Sequence, residues 1–362
     1  MVTPTTWLPQ LYQRFQSFWD RAVPATGLAL LLWASAQATG TYPSEWRLFL
    51  AALLFLSGLI FPRGAYVAFT FLIAYPLYGI SIYLAAIVLA VLILTSHWAM
   101  QNLGAAVLVL ITPALLPWHL ETIVPLLAGL WWGELTGALT GGLAALWLKL
   151  LAGMAGQPLD LARLSGWTPA GTNIIERFSG FNSLQTLLQL VNPFADTSRS
   201  LMLHLLQVLA WALAGYVAGR LARRIWSEHW RGWAPLLSTI PAGGVLWASY
   251  VFVPRLLDPS AQPSGLATEL GDLTLWLLIS ALAAGAVRQF YLYLRRPLMR
   301  PLRRRHRREP ATQRASRLPG LDKRRSESVP PPEHEPSFNW TPSDRPQATA
   351  EADDDVIMLE MD

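Results

Sequence analysis

One long and mainly apolar run, residues 123–153, restricts the fold of this chain more than any other feature. Within it, a glycine recurs at every fourth residue, at Gly129, Gly133, Gly137 and Gly141. Residues four apart lie on one face of a helix, and a face without side chains lets a second helix approach closely in lipid. The run therefore predicts a helix-packing seam inside a membrane.

Composition supports a membrane class. Of the 362 residues, 53% are hydrophobic and 14% are charged, whereas soluble domains carry about 25% charged residues. A large soluble helical bundle is the alternative, but soluble helices show a polar stripe that most of these runs lack. The chain has no cysteine, which excludes disulfides, cysteine-ligated zinc and iron–sulfur clusters. We predict an all-α, polytopic transmembrane helical bundle.

The N-terminal segment, residues 1–24, has an amphipathic pattern. Its aromatic and leucine residues follow a helical stripe and are too few to span a bilayer. This pattern favours a helix that lies in the headgroup region over a cleaved signal peptide, which would begin with basic residues. Pro24 is expected to end this helix.

Apolar runs then succeed one another through residues 25–154. We predict spans at 25–39, 46–61, 65–77, 80–98 and 103–118. The 65–98 stretch is too long for one span and should divide at Tyr75-Pro76, because the residue before a proline avoids helical geometry. The run that begins at Glu121 poses the same choice, and a break within 132–136 is preferred. The total is about eight spans without the two divisions and about ten with both.

Residues 155–200 are more polar and contain no predicted span. A short surface or re-entrant helix is expected around 184–191, where leucines repeat with helical spacing and Asn192-Pro193 follows. The next region, 201–296, holds three clear spans at 201–221, 235–253 and 273–294. We therefore expect 155–200 to form a loop between two transmembrane regions.

Basic residues beside membrane spans tend to stay in the cytoplasm. Three arginine groups flank the predicted spans: Arg14, Arg21 and Arg63; Arg220, Arg223, Arg224 and Arg231; and Arg295, Arg296 and Arg300. Either eight or ten spans place all three groups on one side. Both termini are thus predicted to be cytoplasmic and the 155–200 loop extracytoplasmic. The excess of Arg over Lys and the richness in Ala and Leu favour a prokaryotic plasma membrane.

The C-terminal tail, residues 297–362, has almost no apolar clustering and is predicted to be disordered. Its first part is basic and is expected to contact anionic lipid headgroups through Arg303, Arg304, Arg305, Arg307 and Arg308. Nucleic acid is not expected, because basic charge alone carries no readout. Near the end, four apolar residues stand between acidic flanks: Val356, Ile357, Met358 and Leu359. This cluster is typical of a docking motif for a cytosolic protein partner.

Polar groups at membrane depth are candidate functional residues. Glu134 comes first: it caps a cytoplasmic helix end if the run breaks, or forms a mid-membrane site for a proton, cation or polar ligand if the helix continues. His204 and Gln207 share one helix face and come second, with a hydrogen-bonded packing role as the alternative. Lys149 is expected to extend towards the membrane surface. His119 and Glu121 flank a short turn but are too few for a metal site.

No catalytic motif such as HExxH, GxSxG or GxxxxGK[ST] is present, and no catalytic residue, cofactor or metal is predicted. Two functions fit the sequence. The favoured one is a non-enzymatic platform or sensor that recruits a cytosolic partner through the tail. The other is a transporter or small-molecule-binding membrane subunit built around the Gly129 to Gly141 seam and Glu134.

Overall fold

The structure is a computed structural model that describes residues 4–167, 171–178, 182–224, 233–257 and 266–295. Within these ranges every regular element is helical, in agreement with the predicted all-α class. The helices are α1 (Pro4–Arg14), α2 (Gln16–Thr39), α3 (Ser44–Ile60), α4 (Pro62–Ile80), α5 (Ile82–Gln101), α6 (Leu103–Leu115), α7 (Ile123–Trp132), α8 (Glu134–Met154), α9 (Leu161–Leu164), α10 (Gly171–Phe178), α11 (Ser183–Ala195), α12 (Ser198–Arg224), α13 (Ala234–Leu257) and α14 (Leu266–Leu294). A 3-10 turn, Leu116–Trp118, follows α6.

Six helices of the described part are long and apolar enough to cross a membrane: α2, α5, α8, α12, α13 and the Gly271–Leu294 part of α14. Many large apolar side chains on these helices point away from the protein interior, as Leu94 and Leu209 do. An exposed apolar face around a helical bundle is the pattern that lipid solvates. The coarse prediction of several membrane-compatible helices is therefore confirmed.

The expected helix end at Pro24 is wrong. Helix α2 begins at Gln16 and continues through Pro24, which is buried, to Thr39. A proline inside a helix leaves one carbonyl without its amide partner, but membrane helices tolerate this where neighbouring helices pack against the site. The N-terminal segment thus consists of α1 and the first turns of α2.

The 65–98 stretch does divide into two helices, but not at Tyr75-Pro76. Pro76 lies inside α4, and the break comes at Ser81, which has extended geometry. A proline at position 76 cannot donate to the carbonyl of Leu72, four residues earlier. The hydroxyl of Tyr42 donates to that carbonyl instead, at 2.7 Å. This bond supplies the missing donor, so the helix continues past Pro76.

The 123–153 run breaks at Gly133, inside the preferred interval. Gly133 has a φ of +85° and a ψ of −171°, and it separates α7 from α8. This combination is accessible almost only to glycine. The two helices therefore turn back on each other here, and α7 lies against α8.

The recurring glycines lie where α7, α8 and α12 meet. A Cβ on Gly137 would lie 2.5 Å from the Cα of Gly129, and a Cβ on Gly141 would collide with the carbonyl of Trp211 on α12. On α12, Gly215 faces the carbonyl of Gly137 in the same way. Backbones that approach this closely gain extensive van der Waals contact. The buried side chain of Trp211 adds its indole nitrogen, which donates to the Tyr250 hydroxyl of α13 at 2.8 Å.

The 155–200 region contains the short helices α9, α10 and α11. The helix expected around 184–191 lies within α11, where Asn182 and Gln185 form a reciprocal capping box. In such a box each side chain accepts a hydrogen bond from the other residue's backbone amide, which fixes the helix start. Pro193 does not end α11 directly, since the helix extends to Ala195.

Candidate functional site

A tight turn joins α6 to α7 and carries His119. The amide of His119 donates to the carbonyl of Leu116, and the amide of Leu120 donates to that of Leu115. These two bonds form a Schellman motif, whose central position usually holds glycine because it requires a left-handed backbone. His119 occupies that position with a φ of +56°, the one positive value at a non-glycine residue in the described ranges. A glycine would relieve this backbone strain but would remove the imidazole side chain from the turn.

The imidazole of His119 is fixed from two sides. Its Nδ1 lies 2.7 Å from the hydroxyl of Ser165, and its ring stacks on Trp276 of α14 with ring centres 4.7 Å apart. The connection that follows α8 reaches this turn, because the amide of Gly166 donates to the carbonyl of Leu116 at 2.8 Å. Three parts of the chain that are far apart in sequence therefore converge at His119.

A cavity of about 490 Å³ opens beside this turn. We call it the polar cavity; its walls are formed by His119, Glu121, Thr122, Leu161, Ala162, Arg163, Ser165, Tyr250, Asp272, Leu273, Trp276 and Leu277. Pockets of a few hundred Å³ with apolar walls and a few polar groups are typical of small-molecule sites. The cavity has both kinds of wall.

Glu121 is the most unusual residue in the polar cavity. Its side chain is 4% exposed, and its Oε2 has no hydrogen-bond partner among the described residues. The hydroxyl of the neighbouring Thr122, 3% exposed, also lacks a partner within that part of the chain. A buried polar group without a partner costs about 1–3 kcal/mol, and more if charged. A polar molecule in the cavity could supply hydrogen-bond partners to both of these groups.

Burial also changes the chemistry of Glu121, which lies in the connection between the helices rather than in a candidate span. Desolvation raises the pKa of its carboxyl from 4.5 to about 7, although its own backbone amide and the Ser165 hydroxyl oppose the rise. A carboxyl with this pKa changes charge close to neutral pH. Glu121 can therefore hold a proton or a cation under ordinary conditions.

A second polar cluster surrounds Lys149 of α8, whose side chain is fully buried. The expectation that it extends to the membrane surface is wrong. Its ammonium donates to the carbonyl of Leu159 at 2.6 Å and to Oε1 of Gln207 at 2.7 Å, and lies 3.2 Å from Nδ1 of His204. Each of the three ammonium hydrogens therefore has an acceptor inside the protein, and the side chain does not depend on water for its hydrogen bonds.

The other members of this cluster complete its hydrogen bonding. Gln207 donates through Nε2 to the Asp160 carboxylate at 2.6 Å, so an amide bridges the lysine to a negative charge. If Lys149 donates to Nδ1 of His204, the ring hydrogen is on Nε2, which lies 3.1 Å from the hydroxyl of Ser200. The structure thus brings His204 and Gln207 together and adds Lys149 and Asp160.

The two sites share one segment of chain, the connection 155–167. On one side it supplies the Leu159 carbonyl and the Asp160 carboxylate to the Lys149 cluster. On the other side Ala162 and Ser165 face the polar cavity. Asp160 also caps α9 by accepting from the amide of Ala162 at 3.1 Å. The Lys149 cluster therefore holds one wall of the cavity in place.

Glu134 lies at the first residue of α8, far from both clusters. Its carboxylate is 3.2 Å from Arg220 and 3.6 Å from Arg223, and it is partly shielded from solvent. Because α8 has 21 residues, its two ends are about 30 Å apart at 1.5 Å per residue. These contacts suit an anion at a helix start that also ties α8 to the end of α12.

The described residues contain no group of three His, Asp or Glu side chains able to hold a metal. The basic patch Arg303 to Arg308, the docking cluster Val356 to Leu359 and the rest of the predicted 297–362 tail lie outside the described ranges. The polar cavity, the Lys149 cluster and the contacts of Glu134 all lie within the described residues before the tail.

The sequence does not predict the polar cavity and indicates only that two of its residues flank a short turn. His119 and Glu121 were singled out as a pair, but Thr122, Ser165 and Trp276 were not. The pattern does hold a signal for the turn, since Leu116-Pro117-Trp118-His119 interrupts two apolar runs with a proline and a polar residue. Nothing in the local pattern connects it to Trp276, which is more than 150 positions away.

Comparison with known proteins gives no family: no family model, no curated protein and no solved structure matches this chain.

Proposed function

We propose that this chain is a multi-pass membrane protein that binds a small polar molecule in the polar cavity. The observation that carries the proposal is the pair of buried, unpartnered groups on the cavity wall, Glu121 Oε2 and the Thr122 hydroxyl. An occupant that hydrogen-bonds to both would remove two desolvation penalties at once. The strained backbone of His119 is a second sign, because strain of this kind tends to collect at binding sites.

This proposal moves the ligand site away from the glycine seam. The seam glycines are in backbone contact with α12, and Glu134 has two arginine partners. They are better suited to hold α7, α8 and α12 together than to accept a ligand. A small-molecule-binding subunit remains the functional class, with its site at the α6–α7 turn.

Orientation follows from the arginines and is part of the proposal. Arg220, Arg223 and Arg224 close α12 at the end of the bundle where α8 begins, and Arg295 lies 3.9 Å from Asp20. Basic residues of this kind mark the cytoplasmic side. Both termini would then be cytoplasmic, and the polar cavity would open towards the extracytoplasmic side of the plasma membrane.

Native mass spectrometry of the full chain in detergent tests the binding function. The protein is incubated with a defined mixture of small amines, carboxylates and sugars. Wild type and a surface control, Leu135→Trp, should retain one class of compound, whereas Ala162→Trp, which fills the cavity, should retain none. Leu135 suits the control because it is 71% exposed and distant from the cavity. Equal retention by Ala162→Trp, or no retention by any variant, would contradict the proposal.

Recruitment of a cytosolic partner is the second candidate function, and it rests on the tail sequence. Val356, Ile357, Met358 and Leu359 form an apolar cluster between acidic flanks, and such a cluster on a solvated tether suits a groove on another protein. The basic block that begins at Arg303 would meanwhile lie along anionic lipid. Crosslinking in native membranes, with the full chain compared to a chain truncated after Ala352 and to Ile357→Asp, tests this. A partner recovered equally with all three chains would refute recruitment through the cluster.

A further inference from the structure

The polar cavity has an acidic character that narrows the kind of ligand it can take. This step rests on the binding function proposed above. Two carboxylates line the cavity, the buried Glu121 and the exposed Asp272 of α14. The cavity wall also contains one cationic side chain, Arg163. It is 78% exposed and lies 3.8 Å from the Asp160 carboxylate, so it pairs with Asp160 rather than with Glu121. The interior of the cavity is left with an excess of negative charge.

No other side chain of the cavity wall forms an ion pair with Glu121 among the described residues. The Ser165 hydroxyl, which also lies 2.7 Å from Nδ1 of His119, hydrogen-bonds to the Glu121 carboxyl, and the Tyr250 hydroxyl accepts from the Trp211 indole. Thr122 contributes a hydroxyl that lacks a partner among the described residues. A carboxylate oxygen and a hydroxyl oxygen in the wall of one cavity are both hydrogen-bond acceptors, and an ammonium group with three hydrogens is a natural match for such a wall.

The remaining wall of the cavity is apolar. Leu161, Leu273 and Leu277 line it together with the indole of Trp276. These side chains offer contact to a hydrocarbon or aromatic body and none to a second charge. A bare metal ion is a poor match, since the described residues provide no set of three ligands.

We infer that the polar cavity is a binding site for a small organic amine, whose ammonium group contacts Glu121 and Thr122 and whose apolar body lies against Trp276. Binding of this kind requires the ionised form of Glu121. An aliphatic amine stays protonated through neutral pH, as lysine does, so the ligand's own charge does not change over this range. With the pKa of Glu121 at about 7, its ionised fraction rises about tenfold between roughly pH 6 and pH 8. The affinity should rise by the same factor.

Isothermal titration calorimetry on the full chain in detergent tests the inference with three probes of similar shape. These are phenethylammonium, the neutral phenethyl alcohol and the anionic phenylacetate. Wild type should bind the ammonium in preference to the other two, and about tenfold more tightly at the higher pH. Glu121→Gln should lose at least tenfold in affinity and the pH dependence, whereas Glu45→Gln, at an exposed position on α3, should behave as wild type.

The outcomes separate the two proposals. If the alcohol or the phenylacetate binds as well as the ammonium, and Ala162→Trp abolishes that binding, the cavity is a binding site but the amine class is wrong. If the affinity for the ammonium falls as the pH rises, Glu121 acts as a neutral donor and the inference is also wrong. If no probe binds to wild type, the amine inference fails, and retention of another compound class in the mass-spectrometric experiment decides the binding function by itself.

Discussion

Replacement of Glu121 by glutamine should stabilise the unliganded protein, and increasingly so as the pH rises. Below the ordinary pKa of 4.5 the carboxyl is neutral in both the folded and the unfolded chain, so burial carries no charge penalty. Above the folded pKa of about 7 the carboxyl is ionised in both states, and the full penalty lowers the stability. The gap between the two pKa values, at 1.36 kcal/mol per pH unit, amounts to about 3 kcal/mol. Glutamine has the same shape and no charge to bury.

Equilibrium unfolding in mixed micelles, followed by circular dichroism, measures this effect. The difference in the free energy of unfolding between Glu121→Gln and wild type should be small at about pH 5 and approach about 3 kcal/mol at about pH 8. Glu45→Gln removes a carboxylate from an exposed position and should show neither trend. If wild type and Glu121→Gln change equally with pH, Glu121 is not buried in its charged form and the reasoning about the cavity is refuted.

Three further predictions test the framework around the site. Gly215→Ala should destabilise the protein by about 3 kcal/mol or more, because its Cβ would collide with the Gly137 carbonyl. Gly244→Ala is the control: its Cβ would meet no atom within 4 Å, so it should be neutral or stabilising by about 0.5–1 kcal/mol. Equal melting temperatures for the two variants would contradict the close contact at Gly215. Tyr42→Phe should cost about 1–2 kcal/mol and much less in a Pro76→Ala background, where the backbone regains its own donor; an unchanged cost in that double-mutant cycle would contradict the bond to the Leu72 carbonyl. Lys149→Met should cost about 1–3 kcal/mol for each buried acceptor that it leaves unpaired. Chemical unfolding that shows a total loss below about 1 kcal/mol would mean that the ammonium is not the centre of the cluster.

Helix content was predictable from this sequence because apolar runs without charge have few alternatives to helices in lipid. The break at Gly133 was also predictable, since an unbroken helix over the run from Glu121 to Gly153 would be about 50 Å long, well beyond a ~30 Å hydrocarbon core. The predicted division of 65–98 is wrong because the effect of Pro76 depends on Tyr42, a residue of the connection between α2 and α3 that supplies the missing donor. Local propensity could not contain that information.

The candidate sites were less predictable for the same reason. Lys149 looks like a surface-seeking residue until Gln207 and Asp160 are brought to it by the packing of α12 and the 155–167 connection. The polar cavity joins a turn at His119 to Trp276, and only tertiary structure brings them together. Sequence reasoning can name polar residues in apolar surroundings, but their burial and partners depend on contacts between distant helices.

Substituted-cysteine labelling in intact cells tests the central claim most directly, and the chain has no native cysteine to interfere. Ala162→Cys, in the wall of the polar cavity, is treated with membrane-impermeant methanethiosulfonates that carry either a quaternary ammonium or a sulfonate. Ser227→Cys, in the stretch of sequence between Arg224 and Arg231, is the opposite-side control. The account predicts that Ala162→Cys reacts from outside, faster with the cationic reagent, and that adding Glu121→Gln removes this preference, while Ser227→Cys reacts only after permeabilisation. An Ala162→Cys that stays unmodified from outside, or that reacts faster with the anionic reagent, would contradict an outward-facing cavity built for a small cation.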